Sequence, residues 1–89
     1  MKHVSIRIYG RVQGVFFRAS TKEKADELEI SGNVRNEYDG SVAIEAEGED
    51  EVIAKFVDWC RKGPRLAEVE RCDVEDGEVQ NLRGFPILR

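Results

Sequence analysis

Residues 3–9 (HVSIRIY) alternate strictly, with Val4, Ile6 and Ile8 on one side and His3, Ser5, Arg7 and Tyr9 on the other. A period of two belongs to a strand with one buried face, which predicts His3 on the solvent side. After GRVQG the period lengthens. In VFFRASTKEKADELEI, Thr21, Ala25 and Leu28 recur at i, i+4 and i+7, which predicts a helix with a narrow inward stripe and Gly32 closing the unit. The run KEKADELE is its solvated face, where Lys22 and Asp26 stand one turn apart.

The next stretch, NVRNEYDGSVAIEAEG, predicts a hairpin with Asp39-Gly40 at its turn. Val42, Ile44 and Ala46 take one face, while Ser41, Ala43, Glu45 and Glu47 take the other, so the two glutamates read as surface groups. A second amphipathic helix follows in EDEVIAKFVDWCRKGP, where Val52, Ile53, Phe56, Val57 and Cys60 form the apolar stripe. Acidic Glu49, Asp50 and Glu51 open it, Arg61 and Lys62 close it, and Gly63-Pro64 stops it. Trp59 and Tyr38 read as half-buried packing residues.

In RLAEVERCDVED the parity breaks: Ala67 and Val69 share one face and Cys72 and Val74 the other. A β-bulge near Glu70 or Arg71 would bring all four to the core, because one extra residue restores the register. GEVQNLRG reads as loop. FPILR reads as a last short strand, confined to an edge by Pro86. The order β-α-β-β-α-β, with two one-striped helices, predicts an α+β fold. It is a ferredoxin-like split β-α-β sandwich, an antiparallel sheet with both helices on one face and a short C-terminal strand. Residues 1–89 are expected to form a single domain.

Charge narrows the function. The chain has 89 residues, is 40% hydrophobic and 36% charged, and carries a net charge of −4. An acidic balance argues against a non-specific nucleic-acid binder, which needs a basic face. No apolar run approaches the ~20 residues of a membrane span. Residues 1–10 lack a signal-peptide core, so the expectation is a cytoplasmic chain. Cys60 and Cys72 show no metal-ligand spacing and are expected to be reduced packing residues.

Chemistry concentrates at GRVQGVFFR. A glycine-bearing loop from strand to helix lets backbone N–H groups converge at the positive end of the helix dipole, a setting that favours phosphate, sulfate or carboxylate. Arg18 adds a planar fork of donors suited to phosphate oxygens. The glycines alone favour an ordinary tight turn shaped by Gly10 and Gly14, with Arg18 as a solvated surface residue and Gln13 and Ser20 as turn and helix-surface residues.

Two blocks together resemble the acylphosphatase family. The first is GRVQGVFFR, with Val12, Gln13, Gly14, Val15, Phe17 and Arg18 in the family pattern. The second is GNVRNEYDGSVAIEAEG, with Gly32, Val34, Arg35, Asn36, Gly40, Val42 and Gly48 in place. Weaker echoes at Gly63-Pro64, Ala67, Val69, Phe85 and Ile87 extend the resemblance over nearly the whole chain. One departure is Asn33, where the family typically has an aromatic residue.

The resemblance implies hydrolysis of acyl phosphates to a carboxylate and inorganic phosphate, without metal, cofactor or covalent intermediate. It implies that Arg18 and the loop of Gln13, Gly14, Val15, Phe16, Phe17 and Arg18 bind phosphate, while Asn36 orients the attacking water. Gly10 and Thr21 would support the loop and helix start. The partner implied is a small acyl phosphate, with no nucleic acid or membrane, and the protein is expected to be a monomer. The alternative reading is a non-catalytic ferredoxin-like module that binds a small anionic ligand.

Overall fold

The structure, a computed structural model, describes residues 1–88, so Arg89 at the end of the expected last strand lies outside the described residues. Six elements follow in the order β1 (Lys2–Arg11), α1 (Phe17–Glu27), β2 (Ser31–Asn36), β3 (Val42–Gly48), α2 (Asp50–Lys62) and β4 (Glu68–Gly77). The sheet runs β2-β3-β1-β4 with every neighbouring pair antiparallel. Each β-α-β unit is therefore split by a strand of the other unit.

The core follows the alternation of the strands. Val34, Ile44, Ile6 and Val74 form one cross-sheet row, and Val4, Ile6, Ile8, Val34 and Ile44 are buried beneath the helices. Phe17, Thr21 and Ala25 of α1 and Ile53, Phe56 and Cys60 of α2 supply the facing side. Cys60 and Cys72 are free thiols packed in or against this core, and burial pushes the Cys60 thiol far up.

The bulge falls at Glu70. Tyr9 pairs with Arg71 but Gly10 pairs with Val69, which leaves Glu70 as the extra residue. Ala67, Val69, Cys72 and Val74 all pack against the core as a result. Gly10 is required here, since its φ is +128° and a Cβ would lie 2.2 Å from the Glu68 carbonyl oxygen.

Several expectations need correction. The α1 unit ends at Glu29, which adopts a left-handed φ of 56°, and not at Gly32. Gly32 lies inside β2, where the Glu45 carbonyl would be 1.8 Å from a Cβ. Tyr38 stands fully exposed on the hairpin loop rather than half-buried. The C-terminal stretch is a single parallel bridge, Val34 to Ile87, rather than a strand. Hydrogen bonds from Gly32 N–H to Gly84 O, Val34 N–H to Pro86 O and Leu88 N–H to Val34 O hold it along β2. Pro86 has no N–H to extend the ladder.

The larger correction concerns the open face of the sheet. His3 and Glu47 are only 2% and 3% exposed, not solvent-facing. His3 Nδ1 meets Glu47 and Nε2 meets Glu45, each at 2.7 Å, and Ser5 donates to the same Glu45 oxygen at 2.7 Å. After β4 the chain returns across this face, and the amides of Gln80 and Leu82 donate to the Glu47 carboxylate. Burial disfavours a charged His3, but its hydrogen bonds to Glu47 and Glu45 and their charges prevail and raise its pKa. Burial likewise works against the Glu47 carboxylate, yet the Gln80 and Leu82 amides and His3 hold its pKa below the ordinary value.

Candidate active site

The loop between β1 and α1 leaves the strand at Val12, which is buried. Gly14 has φ +74° and Phe16 has φ +62°. A bulky residue in the left-handed region costs about 1–3 kcal/mol and persists only where its surroundings hold it. Turns of this kind aim successive N–H groups toward one side and create an anion-binding concavity. Phe16 is also the N-cap of α1 and provides no side-chain cap. The first amides of the helix thus have no partner within it, and they point with the positive end of its dipole. The Phe16 ring is 75% exposed, whereas Phe17 is 2% exposed and anchors the first turn.

Phe17 is fixed from α2. Its ring meets Trp59 edge-on with centroids 5.9 Å apart, and Phe56 connects Trp59 to Phe85 of the C-terminal arm. Thr21, fully buried, donates its hydroxyl to the Phe17 carbonyl at 2.7 Å, which braces the same turn. Gly63 permits this packing, because a Cβ there would come within 2.7 Å of the Phe17 ring.

Arg18 and Asn36 line one cleft of about 290 Å³. Arg18, on the first turn of α1, donates from one guanidinium nitrogen to the Leu88 carbonyl at 3.2 Å. Asn36 ends β2 and pairs with Val42. Its Oδ1 is buried and, among the described residues, accepts no hydrogen bond. Gly14, Phe16 and Phe17 also line the cleft, and Val12, Ala19 and Ile87 complete its walls. Arg18 is the charged side chain among these described residues.

Not every candidate from the sequence reaches the cleft. Val15 is buried and lines the neighbouring groove beside Phe16, Pro64 and Leu66. The Gln13 side chain turns the other way and donates to the Glu37 and Ser41 carbonyls at 2.8 and 2.9 Å. Gly10 serves the bulge. Sequence reasoning missed the contribution of the C-terminal arm, Ile87 as wall and Leu88 as acceptor. Nothing local in FPILR signals that contribution, which depends on where the arm docks along β2.

The cleft brings together one cation, the Arg18 guanidinium, the side-chain amide of Asn36 and the start of α1. Among the described lining residues there is no Ser, Thr, Cys, His, Asp or Glu to act as a covalent nucleophile or general base. The chemistry available is anion binding and the orientation of a neutral molecule such as water.

Known proteins resemble this chain along nearly its whole length. The acylphosphatase family model matches residues 4–87. An acylphosphatase from Nocardioides sp. is 51% identical over 84 residues, covering 94% of this chain and 85% of that protein. One from Methylococcus capsulatus is 46% identical over 90 residues, covering 100% and 98%. The crystal structure of acylphosphatase from Bacillus subtilis superposes with a TM-score of 0.97 at 32% identity, covering 100% of both chains. The bulged split β-α-β sheet, the loop leading into α1 and this similarity along the chain lead to one conclusion: the chain belongs to the acylphosphatase family.

Proposed function

We propose that this chain hydrolyses acyl phosphates, with Arg18 and the amides of residues 13–18 holding the phosphate and Asn36 orienting the attacking water. The observation that carries the assignment of roles is the meeting of Arg18 and Asn36 in one small cleft, from two elements separated in sequence. The Asn36 side-chain amide can both donate to and accept from a water molecule in the cleft. A module that only bound an anion would gain nothing from such a group.

The chemistry demands little beyond this. The carboxylate of an acyl phosphate is a good leaving group, so no strong acid is required at the scissile oxygen. Phosphoryl transfer depends mainly on placement and on stabilising charge over the equatorial oxygens. Arg18 and the loop amides supply fixed donors for that charge before the reaction begins. Asn36 cannot take a proton near neutral pH, so the water's proton passes to a phosphate oxygen of the substrate. Water attacks phosphorus, the bond to the acyl oxygen breaks, and carboxylate and inorganic phosphate leave.

The reading includes a monomer acting in the cytoplasm as one domain over residues 1–89. Among the described residues, no helix is long and apolar enough to cross a membrane. The test is turnover of an aryl acyl phosphate in excess chelator. The expected result is undiminished hydrolysis that inorganic phosphate inhibits competitively. Activity abolished by the chelator, or no turnover at all, would overturn the reading.

A further inference from the structure

The cleft is assembled from two independent pieces of chain, and something must set their spacing. The loop that carries the anion-binding amides belongs to β1 and α1. Asn36 belongs to β2, at the end of a hairpin whose loop, residues 37–41, carries the fully exposed Tyr38. Strand pairing does not connect these pieces directly, since β3 stands between β2 and β1 in the sheet. Loop tips of this kind are where local motion concentrates.

Gln13 bridges the gap. Its side-chain nitrogen donates to both the Glu37 carbonyl at 2.8 Å and the Ser41 carbonyl at 2.9 Å, which uses both amide hydrogens. Those carbonyls mark the two ends of the hairpin loop, and the loop is closed on itself by a bond from Glu37 N–H to Ser41 O at 2.9 Å. Glu37 directly follows Asn36, and Ser41 directly precedes Val42, the residue paired with Asn36. One side chain from the β1–α1 loop therefore clamps the backbone on both sides of the strand end that presents Asn36. Ser41 is held further by Asp39, which accepts from its N–H and hydroxyl, and by Arg7, which donates to that hydroxyl. The clamp thus closes on a fixed point.

The geometry points to Gln13 as the positioning residue that sets Asn36 against the phosphate loop. This rests on the proposed hydrolase reading. It shifts the contribution of the Gln13 side chain from gripping phosphate to aligning the water. Loss of the clamp would leave Arg18 and the loop amides intact but let Asn36 drift, and small misplacements of a reacting group cost about tenfold to a hundredfold in rate. The loss would fall on kcat and not on affinity for phosphate.

Gln13→Met tests this by keeping the length of the side chain and removing both donors. The expected result is a kcat lowered by about tenfold or more, with inorganic phosphate bound within about twofold of wild type by calorimetric titration, which also shows that the variant is folded. Gln13→Lys restores donors for the two carbonyls and is expected to recover most of the lost kcat. Any effect of its added charge would appear instead in phosphate affinity. An unchanged kcat in Gln13→Met would overturn the proposal, as would phosphate binding that weakens in step with kcat or a Lys variant as slow as the Met one. Wild-type enzyme run alongside separates the two claims: with normal wild-type turnover these outcomes remove only the role of Gln13, whereas a wild type without turnover removes the hydrolase reading and this role together.

Discussion

His3 shows how much of a residue's role is decided by what folds over it. Its position in the alternation is the outward one, and the strand does place it there, opposite the helices. The return of residues 78–82 then buries it between Glu45 and Glu47. The raised pKa of His3 means that its contribution to stability is full below its ordinary value of 6.5 and is lost as pH rises through the higher folded value. The lowered pKa of Glu47 has the opposite sense: its contribution is full above 4.5 and is lost as pH falls through the lower folded value. The cluster is therefore strongest between 4.5 and 6.5. His3→Gln should destabilise the protein by about 2–3 kcal/mol near pH 6, since a buried charge-assisted pair is broken. That difference should shrink at a second, alkaline pH above the raised pKa, where the wild-type imidazole has lost its proton. Urea unfolding of both proteins at the two pH values checks this, and a gap that stays constant would contradict the charged cluster.

Elements repeat the lesson at larger size. The strands and helices were legible because each carries its own period. Even the bulge in β4 could be read, since the parity change between Val69 and Cys72 has one economical remedy, and Glu70 is where it occurs. The C-terminal arm was not legible in the same way. FPILR has strand-forming residues, but its single bridge to β2 depends on Pro86 interrupting the ladder and on Phe85 finding a place beside Phe56. Phe85 is 2% exposed, so it works as an anchor for a segment with little other packing. Phe85→Ala should cost about 3–5 kcal/mol, the range for removing a buried aromatic ring. Equilibrium unfolding in urea measures it, and a loss below about 1 kcal/mol would show that the arm is held chiefly by its backbone bonds.

For the molecule as a whole, the candidate site was half legible. Arg18 and Asn36 could be singled out from two motifs, and the structure brings both to one cleft. The side-chain bonds of Gln13, the docking of Leu88 on Arg18 and the wall made by Ile87 are contacts across 24, 28 and 70 residues of sequence or join separate segments. No local pattern encodes them. Asn33 is the remaining departure from the family pattern: its Oδ1 is buried without a partner among the described residues, next to Glu45 in the sheet. Nothing else in the structure explains why an amide stands there.

In the proposed mechanism Arg18 binds the phosphate and Asn36 aligns the water. The measurement that tests it most directly is phosphate titration and acyl phosphate turnover on Arg18→Ala and Asn36→Ala side by side. Both variants should lose turnover by about a hundredfold or more, as when one preorganised donor is removed from an active site. Only Arg18→Ala should lose phosphate binding, while Asn36→Ala should bind inorganic phosphate within about twofold of wild type. Turnover retained in Asn36→Ala, or undiminished phosphate binding in Arg18→Ala, would contradict it.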